Sequence, residues 1–151
     1  MLDLKSGKVT KSLEGHTHYV LGVSWNADGH LLASAGADDQ VKIWDVATAE
    51  RKAAVAGFGK EVTAVHFFGT RGEAIAVGGD GQIKIVNEAG DTVRALKALG
   101  DYVQAAAITA DGKTLIAGGQ NGVLTVWRNL TDPPAASLSG PTTRPQGPAH
   151  Q

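Results

Sequence analysis

Residues 15–45 read GHTHYVLGVSWNADGHLLASAGADDQVKIWD. Gly15-His16 opens the stretch and Trp44-Asp45 closes it, with three short apolar runs between them. The first two runs are separated by Asp28-Gly29, a two-residue hairpin signal because glycine accepts positive φ. The next turn is GADDQ, and after it Val41 and Ile43 alternate with Lys42 and Trp44, the period of a strand. The reading is therefore strand, turn, strand, turn, strand. The same residues supply a Ser, a His and an Asp, the side chains of a hydrolase triad, so the stretch is either a catalytic site or structure using the same chemistry.

The pattern recurs, which decides the fold. EVTAVHFFGTRGEAIAVGGDGQIKIVN spans 61–87 and YVQAAAITADGKTLIAGGQNGVLTVWR spans 102–128. The first valines Val20, Val62 and Val103 lie 42 and 41 residues apart, and Trp44, Val86 and Trp127 repeat those intervals. One residue inserted near Thr70–Arg71 is removed again before Gly78, as a hairpin turn absorbs a change. A fourth strand is expected to link the copies, in AERKAAVAG, DTVRALKALG and PPAASLSG, and LDLKSGKVTKSLEG at the start has the same shape. Gly-containing turns leave no room for long helices. The expected class is all-β, with three four-stranded antiparallel units: 15–57, 58–99 and 100–140, preceded by an outer strand of an incomplete unit over 1–14. All five prolines, Pro133, Pro134, Pro141, Pro145 and Pro148, fall in the last 19 residues, and 141–151 reads as a disordered tail.

Composition narrows the function. Fourteen Lys+Arg against fifteen Asp+Glu leave a net charge of −1, which offers no basic surface for nucleic acid. No window has the 18 or more apolar residues of a membrane span, and MLDLKSGKVTKSLEG lacks the apolar core of a signal peptide, so no export signal is expected in the chain as written. The absence of cysteine excludes disulfides, iron–sulfur clusters and thiolate zinc sites. No cofactor is expected.

A period of 40 to 45 residues, with Gly-His at its start and Trp-Asp at its end, resembles the WD40 repeat family. The likeness runs from Leu2 to about Gly140 and is strongest in the first copy. In the second, Phe58 stands for the His and Val86-Asn87 for Trp-Asp; in the third, Arg128 follows Trp127 and Asn121 stands where the others have Asp. The resemblance implies a β-propeller of four-stranded blades around a channel. The wording of the repeats is similar to that of bacterial WD40 proteins with further domains, which makes a periplasmic location as defensible as a cytoplasmic one.

The resemblance also implies a role for the triad-like side chains. In WD40 blades a buried hydrogen-bond chain links four positions, here His16, Ser34, Asp38 and Trp44. The indole N–H has no acceptor capacity, so Ser34 can receive it and pass its own proton to the imidazole. Catalysis by Ser34, His16 and Asp38 would instead need an exposed Ser beside an oxyanion hole, whereas Ser34 sits in the apolar strand LLASAG. The expectation is a structural tetrad and no catalytic residue. Ala76 and Ala117 replace the Ser in the other copies, from which the polar chain is expected to be dismantled whole, with nothing half-paired.

His16, His18, His30 and His66 do not combine into a metal site in this reading, because His16 belongs to the tetrad and His30 to a turn at the opposite end of the blade. Tyr19, Glu61 and Tyr102 occupy one equivalent position before the first Val of each copy. The resemblance puts that loop on the top face of a propeller, where partners dock, and Tyr is enriched at interfaces. Candidate protein-binding residues are His18, Tyr19, Lys60, Glu61, Asp101 and Tyr102. The alternative is a ligand- or metal-binding or enzymatic propeller with its site at the channel mouth.

Propellers have four to eight blades, so three leave two faces uncovered. Either the chain is part of a longer WD40 protein, without independent function when cut from it, or two copies associate into six blades. In the second case GKVTKSL at the N-terminus is expected to complete the third blade of the other copy.

Overall fold

The computed structural model describes residues 1–96 and 99–130, with the backbone alone at 136–139. The proposed tail over 141–151 lies outside the described residues. Among the described residues, twelve strands form three antiparallel sheets. The first holds β1 (Val20–Trp25), β2 (Leu31–Gly36), β3 (Val41–Asp45) and β4 (Glu50–Val55) in chain order. The second holds β5 (Val62–Phe68), β6 (Glu73–Gly78), β7 (Ile83–Val86) and β8 (Thr92–Leu96). The third holds β9 (Val103–Ile108), β10 (Thr114–Gly119), β11 (Val123–Arg128) and β12 (Ala136–Ser139).

Each sheet is one blade, and its turns follow from the residues that allow them. Gly29 and Gly112 take φ of 75° and 71° in the first hairpins of blades one and three. In the turn between the second and third strands, Gly81 and Gly122 take φ of 82° and 74°, and Asp39 holds the same place in blade one at 60°. Each first strand also carries a bulge at one repeating position, between Val20 and Gly22, between Val62 and Ala64, and opposite Gly118/Gly119. A bulge leaves one residue unpaired and re-aims its side chain. Those residues are Leu21, Thr63 and Gln104, and with Tyr102 they line one cavity along the innermost strands.

The blades pack face to face, β1 against β5 and β5 against β9. Two cores lie in the seams. Between blades one and two, Ala33, Ala35 and Val41 meet Val62, Val65, Ala74, Ala76 and Val86. Between blades two and three, Ile75, Val77, Ile83 and Ile85 meet Val103, Leu115, Ala117 and Trp127. Small alanines on one face and branched residues on the other let sheets approach closely, and a blade buries its apolar surface only through its neighbours.

Residues 1–14 join none of the three sheets; their one described pairing is an isolated antiparallel bridge, Leu2↔Val9. Lys11 reaches across to the carbonyl of Val46 at 2.7 Å. The expected completion of a third blade by GKVTKSL meets an obstacle: β11 already pairs with β12, from Val123↔Ser139 to Val126↔Ala136. The outer edge that the segment would occupy is taken.

Candidate functional site

His16 comes from the loop that enters β1, Ser34 from β2, Asp38 from the turn after it, and Trp44 from β3. The structure brings all four together. Trp44 Nε1 donates to Ser34 Oγ at 2.8 Å, and Ser34 Oγ lies 2.7 Å from His16 Nε2. His16 Nδ1 lies 2.8 Å from Asp38 Oδ1. The partners fix the protons. An indole can only donate, so the Ser34 hydroxyl turns its own proton to Nε2; Nδ1 then carries the proton that faces the carboxylate. Gly36 makes the closure possible, since a Cβ there would collide with Asp38 Oδ1 and His16 Nδ1.

The connectivity Ser–His–Asp is that of a triad, but the environment is not. Ser34 is buried, and its oxygen receives the indole proton on the side a nucleophile would need free. Asp38 is drawn in a second direction by Lys42, whose Nζ lies 2.7 Å from Oδ2 with both side chains almost fully buried. The Thr17 backbone N–H adds a bond at 3.2 Å. Burial alone would raise the Asp38 carboxyl, but hydrogen bonds from Lys42, His16 and Thr17 outweigh it and hold the group well below the usual carboxylate range. Lys42 is the member that sequence reasoning missed. Strand alternation sets it on the Trp44 face of β3, and an aspartate four residues earlier across a turn was the available signal.

The other blades show the same positions without the network. In blade two Phe58 replaces the His, and the ammonium of Lys84, the counterpart of Lys42, sits 4.3 Å from the Phe58 ring centroid and donates to the Gly57 carbonyl at 2.7 Å. Asp80 still ties the turn to the entering loop, accepting from Gly59 N–H at 2.6 Å. In blade three the tie is reversed: Asp101 in the entering loop accepts from Asn121 N–H at 2.7 Å. Blade three corrects the expectation that nothing is left half-paired. Trp127 is fully buried, and its Nε1 is the buried side-chain polar atom without a hydrogen-bond partner among the described residues. Ala117 removed the acceptor while the indole stayed, because the ring also fills the seam core.

The six candidate docking residues lie on the loops that enter each blade, beside the second turns: Ala37 N–H donates to the Tyr19 carbonyl and Gly79 N–H to that of Glu61, each at 2.8 Å. They form two groups. Tyr19 is 75% exposed, with the His18 ring edge-on at 4.8 Å. Across the blade two–three boundary the Tyr102 hydroxyl donates to Glu61 Oε1, and Lys60 Nζ lies 5.6 Å from the Tyr102 ring centroid. That hydrogen bond lowers the Glu61 carboxyl and raises the Tyr102 hydroxyl from their ordinary values. Asp101 is engaged by Asn121. His66 stands apart, 2.8 Å from the Ala106 carbonyl in the seam, and no group of three His, Cys, Asp or Glu among the described residues is arranged to hold a metal.

Comparison with known proteins agrees with the blade geometry. Residues 7–45 match the family described as WD domain, G-beta repeat. The chain is 32% identical over 82 residues to the Periodic tryptophan protein 1 homolog of Drosophila melanogaster, covering 53% of this chain and 18% of that one. It is 29% identical over 143 residues to the Nuclear distribution protein nudF of Aspergillus niger, covering 91% of this chain and 32% of that one. It is 42% identical over 48 residues to the Retinoblastoma-binding protein 5 homolog of Drosophila melanogaster, covering 32% of this chain and 10% of that one. The chain thus spans a third or less of each relative. Residues 7–45 thus carry a WD domain, G-beta repeat, and the two further antiparallel blades repeat its strand pattern.

Proposed function

We propose that the chain is a non-enzymatic protein-interaction scaffold whose partners dock on the face carrying His18, Tyr19, Lys60, Glu61, Asp101 and Tyr102. The observation that carries this reading is the exposed Tyr19 beside a pre-set cluster. Glu61 and Lys60 hold Tyr102 in place across two blades, while Tyr19 and His18 project an amphipathic surface that no described residue covers. Rigid aromatic side chains lose little entropy on docking and supply much of an interface's energy. A relative named for binding another protein supports the same class of function. Against an enzymatic reading, the nearest thing to a nucleophile is Ser34, buried and bonded on both sides.

Propellers have four to eight blades, so further blades complete this one, from a second copy or from contiguous chain; two copies, giving six, is the favoured arrangement. Docking is tested by placing a photo-cross-linking residue at Tyr19, and as a control at Thr48 in the β3–β4 turn at the opposite end of the blade. The reading expects protein adducts from position 19 and none from 48. Adducts from neither, or equally from both, would contradict it.

A further inference from the structure

Blade two is covered on both sides, so it shows which positions belong to a seam. Toward blade three it buries Ile75, Val77, Ile83 and Ile85; toward blade one, Val62, Val65, Ala74 and Val86. The repeat intervals of 42 and 41 residues carry these positions onto the end blades. Ile75 and Ile83 correspond to Ile116 and Leu124 of blade three, and Val62 and Val65 to Val20 and Val23 of blade one. Ile83 is 1% exposed and Leu124 47%; Val65 is 1% exposed and Val23 60%. At these four positions the end blades carry aliphatic side chains left exposed, whereas Ile85 and Val86 correspond to the buried Val126 and Trp44. On blade three the exposed positions open into an apolar groove of about 480 Å³ lined by Ala105, Ala107, Ile116, Gly118 and Leu124.

We infer that these two faces are the halves of one seam, and that the occupant of each is the other face on a second copy of this chain. Blade three of one copy receives blade one of the next, in the order that blades one–two and two–three already follow. The inference rests on the blade-completion reading above and names its surfaces. Continuity with the existing seams supports it: each uncovered face has its mate, by repeat position, at the other end of the same chain.

The polar ties of the existing seams indicate how the new one is joined. Thr63 Oγ1, at the bulge of β5, donates to the Val103 carbonyl of the next blade at 3.0 Å. Gln104 holds the Thr63 position in blade three, and Val20 the Val103 position in blade one. The Gln104 side-chain amide therefore faces the Val20 carbonyl of the second copy. A head-to-tail contact closes only if the rotation returns to its start, and otherwise gives filaments. Two copies make six blades, inside the range of propellers, and three make nine, outside it.

Light scattering of the gel-filtered full chain is the test, with two variants at exposed positions, Leu124→Glu on blade three and Val23→Glu on blade one. The wild type is expected at twice 15.5 kDa, and each variant alone as a monomer with an unchanged β-type circular dichroism spectrum. An equimolar mixture of the two variants is expected to return to dimer mass, because the intact blade-one face of one meets the intact blade-three face of the other. A monomeric or trimeric wild type, or a mixture that stays monomeric, overturns the inference. Tyr19→Ala, on the docking face, is expected to keep dimer mass, so failure of docking and failure of closure are read separately.

Discussion

The Ser34 hydroxyl lies 2.8 Å from the indole nitrogen of Trp44 and takes its proton. That one contact separates a strut from a nucleophile. With its oxygen also bonded to His16 at 2.7 Å, Ser34 joins β2, β3 and the entering loop, and the chain of donors ends on Asp38, where Lys42 supplies the balancing charge. Each buried polar group is matched, and a matched network makes the geometry of blade one unique.

In blade three Trp127 Nε1 has no such partner among the described residues, and Ala117→Ser should supply one. The position has the register of Ser34, since Leu115↔Trp127 repeats Leu32↔Trp44, with Thr125 opposite it where Ser34 has Lys42. A new acceptor for Trp127 Nε1 is expected to stabilise the fold by about 0.5–1 kcal/mol, read as a higher urea midpoint at unchanged slope.

Asp38→Asn should be costly, because it leaves Lys42 buried without its counter-charge. A loss of about 3–5 kcal/mol is expected at neutral pH. The pH dependence has a definite sign. The folded-state carboxyl titrates below its ordinary value of 3.8, so its stabilisation is complete above that value and is lost as pH falls through the folded-state value. Denaturation of the wild type at pH 7, 4 and 3 should show the decline, and Asp38→Asn should show less of it.

Asp39 occupies a left-handed conformation, φ 60°, where blades two and three place glycine. Such a conformation costs a non-glycine residue about 1 kcal/mol. Asp39→Gly is expected to raise stability by roughly 0.5 kcal/mol, after the entropy glycine loses on folding is subtracted; thermal melting checks it.

Only two tyrosines are present, so phenolate absorbance can follow Tyr102 in a Tyr19→Phe background. The hydrogen bond to the Glu61 carboxylate raises its ionisation above the ordinary 10.0. Glu61→Gln should move the titration back down, and an unchanged curve would show that the two side chains do not meet in solution.

The blades were legible in the sequence because period-2 alternation and Asp-Gly turns act locally, and the 42- and 41-residue intervals between Val20, Val62 and Val103 fixed the register. The meeting of His16, Ser34, Asp38 and Trp44 came from the family resemblance. Three features were not legible. Lys42 shares the strand alternation of Trp44, but its contact with Asp38 depends on how the turn folds and on side-chain reach. The Trp127 N–H, without a partner among the described residues, was hidden because counting polar residues lost from a repeat does not reveal which survivors stay for packing. The position of the N-terminal segment was obscured for a different reason: strand propensity does not tell which sheet edge is already occupied, and β12 occupies the one at β11.

Equilibrium urea denaturation of Ser34→Ala against the wild type separates a Ser34 that holds the blade together from one that performs chemistry. The substitution leaves Trp44 Nε1 and His16 Nε2 buried and unpaired, and a loss of about 2–3 kcal/mol is expected of a structural role. A variant as stable as the wild type would contradict it.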